Sequence, residues 1–516
     1  MKYVSVNEMI SIEHAADTAG HSYSAMMEAA GKGLAEVIQQ EFGDLQDKRI
    51  TALVGSGNNG GDALVALDYL LSWGWQASAL IFKHRTPHDP LLKRVIEKGG
   101  SVLECSEFSK NKDPITYELG TASLILDGIL GTGIKLPIKE PLSQLLGFTQ
   151  QFLENLSIKP TIIAVDCPSG IDCDSGEAAQ SCLKADLTVT MAAVKQGLLR
   201  FPAYNYVGDL RLVGIGLPEE FPEMNTIKRE VIEPDWVKQI LPERPLTAHK
   251  GVFGTALIIG GSVSYPGATI LAGESAYRSG VGLVTIAVPL SIYSGVIGTI
   301  PEATWIQLDD LDGSISSSAI EQIKGALVRP TACLIGPGMG TNYSSRDFLY
   351  KVLRLKDLPP LVLDADGLRL AVDSKKWPEL LPSGSVLTPH PGEMAYLTGL
   401  SVEEIQANRV GIAEKYAQEW QQIVVLKGAH TVIADPGGQT KILESAQPEL
   451  ARAGSGDVLA GIITGLIAQG VPPFEAAAAG AWIHARAGSM AAKKRGSSAS
   501  VLAGEISDAI GKVLPI

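Results

Sequence analysis

The sequence predicts an α/β protein of two domains in series, and three observations carry that prediction. Its 516 residues exceed the roughly 250–300 at which a single core stops growing. Short apolar, β-rich runs alternate with helical patterns through both halves, as in βαβ units around buried parallel sheets. Between Leu217 and Lys250 that alternation gives way to a Pro- and charge-rich stretch, LPEEFPEMNTIKREVIEPDWVKQILPERPLTAHK, which suits a connection better than a core. The expected division is therefore 1–217, a connecting segment over 218–248, and 249–516.

In the first half, MMEAAGKGLAEVIQQEF has helical spacing, with Met27, Leu34, Val37 and Ile38 able to share a face. The predicted strands are ITALVG (50–55), ASALIF (77–82), LILD (124–127), TIIAVD (161–166) and LTVTM (187–191). In the second half they are TALIIGGS, GLVTIAVP, TACLIGPG, LVLDADG, SVLTPHPGE, IVVLKGA and TVIAD, followed by a long helix after Gly456.

Bulk properties exclude several classes of function. With 45% hydrophobic and 19% charged residues and 55 glycines, the chain is compact and turn-rich. A net charge of -13 argues against a nucleic-acid partner, and the one basic run, Lys493 to Arg495, reads as a solvated helix end. A phosphate-bearing ligand remains open, because backbone amides at helix N-termini bind anions without basic side chains. The five cysteines are odd in number and scattered, so neither a disulfide framework nor a zinc site is expected. The first twenty residues lack an apolar h-region and no apolar run approaches membrane-spanning length, so no membrane partner and a cytoplasmic location are expected.

GSGNNGGD (55–62) follows a strand and opens a helix, where glycines let a ligand approach free amides and Asn58 and Asn59 add side-chain groups. The dinucleotide fingerprint is not met, since no acid ends the next strand. Two later strands end in acids before tight turns, Asp127 in LILDGILGTG and Asp166 in TIIAVDCPSGID. In doubly wound sheets such turns converge outside the carboxyl ends of the strands; a plain turn or cap role for either acid stays open. Lys195, in AVKQGL, is either an acid/base group beside a carboxylate or a surface charge.

VGSGNNGGD, DGILGTG, VDCPSGID and AVKQGL together closely resemble the epimerase domain of the NAD(P)H-hydrate repair enzymes, over residues 1 to about 217. The resemblance implies a Rossmann-like three-layer domain that interconverts the R and S forms of hydrated NADH or NADPH. It places Asn58, Asn59, Gly60, Gly61, Asp62, Gly131, Thr132, Gly133, Ile134, Lys135, Leu136, Pro137 and Asp166 against the hydrate. It implies a potassium ion on Asn59, Asp127 and Ser169, an all-oxygen set, with Asp166 and Lys195 as acid and base.

In the second half, GSGD (454–457) precedes an apolar helix, so amides around Ser455 can form an anion hole for a transferred phosphoryl group, and Asp457 at the first turn can accept a proton from an attacking hydroxyl. The alternative is that Asp457 merely caps the helix. His390 in TPHPGEMAYL is a ligand donor or a structural histidine, Lys427 and the turn amides of VVLKGAHTVIAD are placed for a nucleotide phosphate or ribose, and the acids of LVLDADGL serve hydrogen bonding within the fold or metal or phosphate work. LIGPGMG is a turn that lets backbone abut a ligand.

Taken together, HKGVFG, GGSVSYPGA, GPGMG, LDADGL, TPHPGEM, VLKGAHTVIA and GSGDVLAG closely resemble the NAD(P)H-hydrate dehydratase domain of the ribokinase-like superfamily, over 245–516. That resemblance implies ADP or ATP as co-substrate against Lys427, Gly428, Ala429, His430, Thr431, Gln447, Arg452, Ala453, Gly454, Ser455 and Gly456. The hydrate would meet Ala268, Gly338, His390, Pro391, Gly392, Glu393, Met394, Ala395, Tyr396 and Asp457, with Asp457 catalytic. Tyr396 stands where that motif commonly has Arg. Mg2+ in this half and a homo-oligomer are further expectations. The residue chemistry alone leaves open a small-molecule kinase with an accessory nucleotide-binding N-terminal domain.

Overall fold

The computed structural model describes residues 1–86, 88–105, 112–218, 220–372 and 376–514, and the chain divides into two compact units, Met1–Lys228 and Arg229–Ile516. In the first, seven parallel strands form one sheet in the order Ser101–Glu104, Gln76–Ile81, Arg49–Val54, Leu124–Gly128, Thr161–Val165, Leu187–Met191, Asp209–Val213. The chain steps outward from Arg49–Val54, then returns to Leu124–Gly128 and proceeds the other way. The order thus reverses between these two strands, where a doubly wound sheet opens its ligand crevice. Their register sets Leu53 opposite Asp127 and Val54 opposite Gly128, so the glycine turn after Val54 lies beside Asp127.

Both faces of this sheet are covered, which is why its central strands read as continuous apolar runs. Ile50, Ala52 and Val54 face one apolar cluster with the helices Tyr23–Phe42 and Asn58–Ser72, while Leu53 and Ile125 face another with Leu142–Glu154. In Tyr23–Phe42 the buried stripe is Met26, Ala30, Leu34 and Ile38. Met26 rather than Met27 enters the core, and Val37 is only half-buried. Ser101–Glu104 and Asp209–Val213 escape a sequence reading because they are the sheet's edges, partly exposed and carrying charge. Tyr3–Val4 pairs with Val194–Lys195 in a separate small ladder.

The second unit holds a ten-stranded sheet in the order Arg229–Val231, Thr440–Ile442, Val432–Ala434, Ile423–Leu426, Val386–Leu387, Leu361–Leu363, Ala332–Ile335, Thr255–Ile259, Leu283–Pro289, Thr304–Leu308. Its pairings are parallel except where Val432–Ala434 runs against both neighbours. Part of the expected connecting segment belongs here: Arg229–Val231 edges the sheet beside Thr440–Ile442, and the helix Pro234–Ile240 buries Val237 in the core. A three-residue edge strand is too short to show a period. The strand order reverses between Ala332–Ile335 and Thr255–Ile259.

The helix Ser455–Ala468 is apolar all round and buried along its length. It packs on Ala268–Arg278 through a glycine seam: a Cβ on Gly461 would strike the Ala272 carbonyl, and one on Gly465 the Ser279 hydroxyl. Only residues without a side chain permit that approach. No helix among the described residues is long and apolar enough to cross a membrane.

Candidate active sites

The first site lies at the reversal of the seven-stranded sheet. Gly57 brings the chain extended into the helix Asn58–Ser72, so Asn59, Gly60, Gly61 and Asp62 are buried in its first turns while Asn58 stays exposed. Asn59 Nδ2 donates to Val165 O (2.6 Å) and Leu130 O (3.1 Å). Asp127, buried, accepts from the Ser169 hydroxyl (2.6 Å) and amide (2.8 Å), and Ser169 Oγ accepts from the Leu130 amide (2.9 Å). Asn59, Asp127 and Ser169 therefore share one bonded cluster. Burial pushes the Asp127 carboxyl up, against the Ser169 bonds that favour its ionised form.

Asp166 sits at φ 64°, in the left-handed region, at the end of its strand. Its Oδ1 accepts from the Met191 amide (3.0 Å), the Thr190 hydroxyl (3.1 Å) and Lys195 Nζ. Lys195, 2% exposed, gives its other protons to Met191 O (2.7 Å) and Thr190 Oγ1 (3.3 Å). Three ammonium protons thus meet three acceptors. Oδ1 of Asp166 is saturated, and among the described residues Oδ2 has no partner. The Asp62 carboxyl has no hydrogen-bond partner among the described residues either. Burial first, then the carboxylates of Asp166 and Glu13, push Asp62 well above the usual range. Glu13 is itself raised by burial, partly offset by Lys195.

Of the Gly131–Pro137 loop, Gly131 lies against this cluster. A Cβ on Gly131 would lie 2.5 Å from Asn59 Oδ1. Leu136 and Pro137 line a cavity of about 700 Å³ with Ala178 and Gln180.

The second site gathers around the start of Ser455–Ala468. Gly454 at φ 87° turns the chain into the helix without a side-chain cap. The Ser455 amide bonds to Arg452 O (3.2 Å), whereas among the described residues the amides of Gly456 and Asp457 have no acceptor. Asp457 lies inside the first turn and caps nothing. Burial, with the neighbouring Asp364 carboxylate, pushes it up to about 7. Lys427 Nζ is 2.8 Å from Asp364 and 3.7 Å from Glu393, and a Cβ on Gly456 would lie 3.4 Å from it. Burial lowers Lys427, but those two carboxylates outweigh it and hold the ammonium charged.

Asp364 also accepts from the Thr388 hydroxyl (2.6 Å), and Asp366 from the Gly340 amide (2.9 Å), so both acids of LVLDADGL bond within the fold. Gly336, Gly338 and Gly340 all have positive φ (126°, 60°, 75°). A Cβ on Gly338 would come 3.0 Å from Ala268 Cβ, so these two residues adjoin. The turn Gly428 to Thr431 joins the antiparallel strands, with Gly428 and Ala429 exposed and His430 and Thr431 buried.

Two matches define the chain's relationships: a YjeF-related protein N-terminus over residues 23–197, and an NAD(P)H-hydrate dehydratase over 256–512. The bifunctional NAD(P)H-hydrate repair enzyme of Moorella thermoacetica is 36% identical over 95% of this chain and 92% of its own length. The chain belongs to the bifunctional NAD(P)H-hydrate repair enzymes. Its Escherichia coli relative of that description is 31% identical over 93% of this chain and 88% of its own. A Bacillus subtilis ADP/ATP-dependent NAD(P)H-hydrate dehydratase, co-crystallised with ATP/Mg2+, is 32% identical over 55% of this chain and 97% of its own, at a TM-score of 0.48.

For this bifunctional repair enzyme, Asn59, Asp127, Asp166, Ser169 and Lys195 gather in the first cluster, and Lys427, Glu393, Gly456 and Asp457 in the second. Others are engaged elsewhere: Gln447 bonds Ser445 (2.7 Å) and Arg452 bonds Ala499 O. His390 caps Pro391–Thr398 by accepting the amides of Gly392 (3.0 Å) and Glu393 (3.2 Å) on Nδ1. Of the residues behind it, Glu393 and Met394 are buried and Tyr396 is exposed. Glu13, Thr190 and His484 go unnoticed in sequence. His484, buried and held neutral near pKa 4 by burial, contacts Ser455 Oγ at 3.0 Å. Its signal is a lone imidazole in the small-residue helix AAAAGAWIHARAG.

Proposed function

We propose that Met1–Lys228 interconverts the R and S forms of hydrated NADH or NADPH, and that Arg229–Ile516 dehydrates the S form at the expense of ADP, giving AMP and phosphate. The observation that carries the second half is the meeting of a base near neutrality, Asp457, with two free amides and the Lys427 ammonium. That set serves phosphoryl transfer to a hydroxyl. Asp457 takes the hydroxyl proton, the amides of Gly456 and Asp457 with Lys427 hold the transferred phosphoryl, and its oxygen becomes a leaving group. Phosphate then departs with the C–O bond while the adjacent ring carbon loses a proton, which restores the double bond.

In the first unit the hydroxyl-bearing carbon is bonded to the ring nitrogen, so its C–O bond breaks when the oxygen is protonated and the nitrogen lone pair fills in. Asp62, whose carboxyl burial and the neighbouring carboxylates favour in its neutral form, supplies that proton. Water returns on the other face and gives its proton to Asp166 Oδ2. The Asn59, Asp127 and Ser169 cluster fits potassium, being all oxygen donors with a single carboxylate. A bound K+ would supply positive charge beside the hydrate's phosphates. Substituting Na+ for K+ is expected to lower epimerisation, read by chromatography of the two hydrates. Among the described residues no cluster of three or more His, Cys, Asp or Glu fits a divalent ion, so Mg2+ would enter on the nucleotide. Five buried free cysteines support a reducing, cytoplasmic setting.

The test mixes pure S hydrate of NADPH with enzyme and ADP or ATP, following the dihydronicotinamide absorbance and phosphate release. Recovery with stoichiometric phosphate is expected. A stable phosphorylated product would instead favour a small-molecule kinase. Gly131→Ala is expected to push the Asn59 amide off Val165 and slow epimerisation about tenfold or more, with dehydration unchanged; equal rates would remove Asn59 from the site.

A further inference from the structure

Arg409 opens the helix Arg409–Trp420 and belongs to none of the motifs above. Its Nη2 donates to the carbonyls of Leu426 (2.9 Å) and Lys427 (3.1 Å), and Nη1 to Gln406 Oε1 (2.8 Å). The buried Nε has no partner. Burial alone draws the guanidinium down to about 10, with no carboxylate opposing it among the described residues. A cation withdrawn from water without a counter-charge is costly, and such a group is sustained where an anion arrives.

The turn after Leu426 is seated directly on this group, since a Cβ on Gly428 would come within 3.1 Å of both Nη atoms. Across the turn, burial and then the Arg409 charge hold His430 down at about 4. The two carbonyls gripped by Arg409 are the last of a strand and the first of the turn. Fixing them fixes how the amides of Gly428 to Thr431 point.

We propose that Arg409 is a positioning residue for the nucleotide, holding the 427–431 turn by two carbonyls and balancing, beneath it, the charge of a nucleoside diphosphate's phosphates. This rests on the ADP-consuming reading of the second unit. The test uses the full chain with Arg409→Gln and Arg409→Lys. It measures the KM for ADP, the KM for the hydrate, the epimerisation rate, and the Kd for ADP by calorimetry without hydrate.

Arg409→Gln is expected to raise the KM and Kd for ADP about tenfold or more, as loss of a charge-assisted grip does. Epimerisation should stay within about twofold, because the first unit's cluster shares no residue with this turn, and so should the hydrate KM, because Asp457, Ala268 and Gly338 are not among Arg409's partners. Arg409→Lys keeps the charge but can grip one carbonyl only, so it should fall between. An unchanged Kd for ADP in the glutamine variant overturns the assignment, as do ADP and hydrate KM rising by one factor. If the glutamine variant does not fold, a lysine variant with wild-type Kd for ADP overturns it equally. Failure of the wild type to dehydrate with either nucleotide would sink the proposed function, while the calorimetric Kd still judges Arg409.

Discussion

Asp457→Asn is expected to lower the ADP-driven recovery of dihydronicotinamide by about 10²–10⁴-fold, leaving epimerisation by the same chain unaltered. The amide keeps the shape of the carboxylate but cannot take the hydroxyl proton. In the wild type the ionised form is the active one, so with Asp457 near 7 the rate should fall about tenfold per pH unit below that value. The stability sign runs the opposite way. A carboxyl whose folded value lies above its unfolded one of about 4 costs nothing below that pH, and its cost grows until pH passes the folded value. Asp457→Asn should therefore melt a few °C higher than wild type above pH 7, with the gap closing near pH 4. Calorimetric melts across that range, run beside the rate assay, read both effects; a variant that is both active and no more stable would clear Asp457 of the role.

Lys195→Ala carries the largest expected cost in the first unit. Removing one partner of a buried, hydrogen-bonded pair strands the other, at about 3–5 kcal/mol. Asp166 would keep its carboxylate in the crevice with only the Met191 amide and Thr190 hydroxyl to hold it. Conversion of pure R hydrate to S should fall by about 10² or more, and the unit should melt earlier in denaturant. Removing both charges in Asp166→Asn with Lys195→Met is expected to recover much of the stability and none of the activity. If the double variant were as unstable as the single one, the loss would come from packing around Lys195 and not from a stranded charge.

Much of this was readable from the sequence, for definite physical reasons. Central parallel strands are buried on both faces, so ITALVG and TIIAVD stand out as apolar runs, and their C-terminal ends carry the glycine turn and Asp166. GSGD was readable because few other needs place two glycines around a serine before an apolar helix. Edge strands and long-range partners were not. Asp209–Val213 alternates charge with apolar residues as an edge must, and Arg229–Val231 hides in a segment that resembles a linker. Glu13 lies about 150 residues from the carboxylate it faces, and nothing in IEHAAD marks it. Arg409 is one of many arginines on a helix, and its lack of a counter-charge exists only after folding.

The glycine seam between Ser455–Ala468 and Ala268–Arg278 has a mechanical meaning. The first helix carries Asp457 and the second begins at Ala268, beside Gly338. Interlocked at Gly461 and Gly465, the two helices act as one strut, so Asp457 and Ala268 are carried on a single rigid unit.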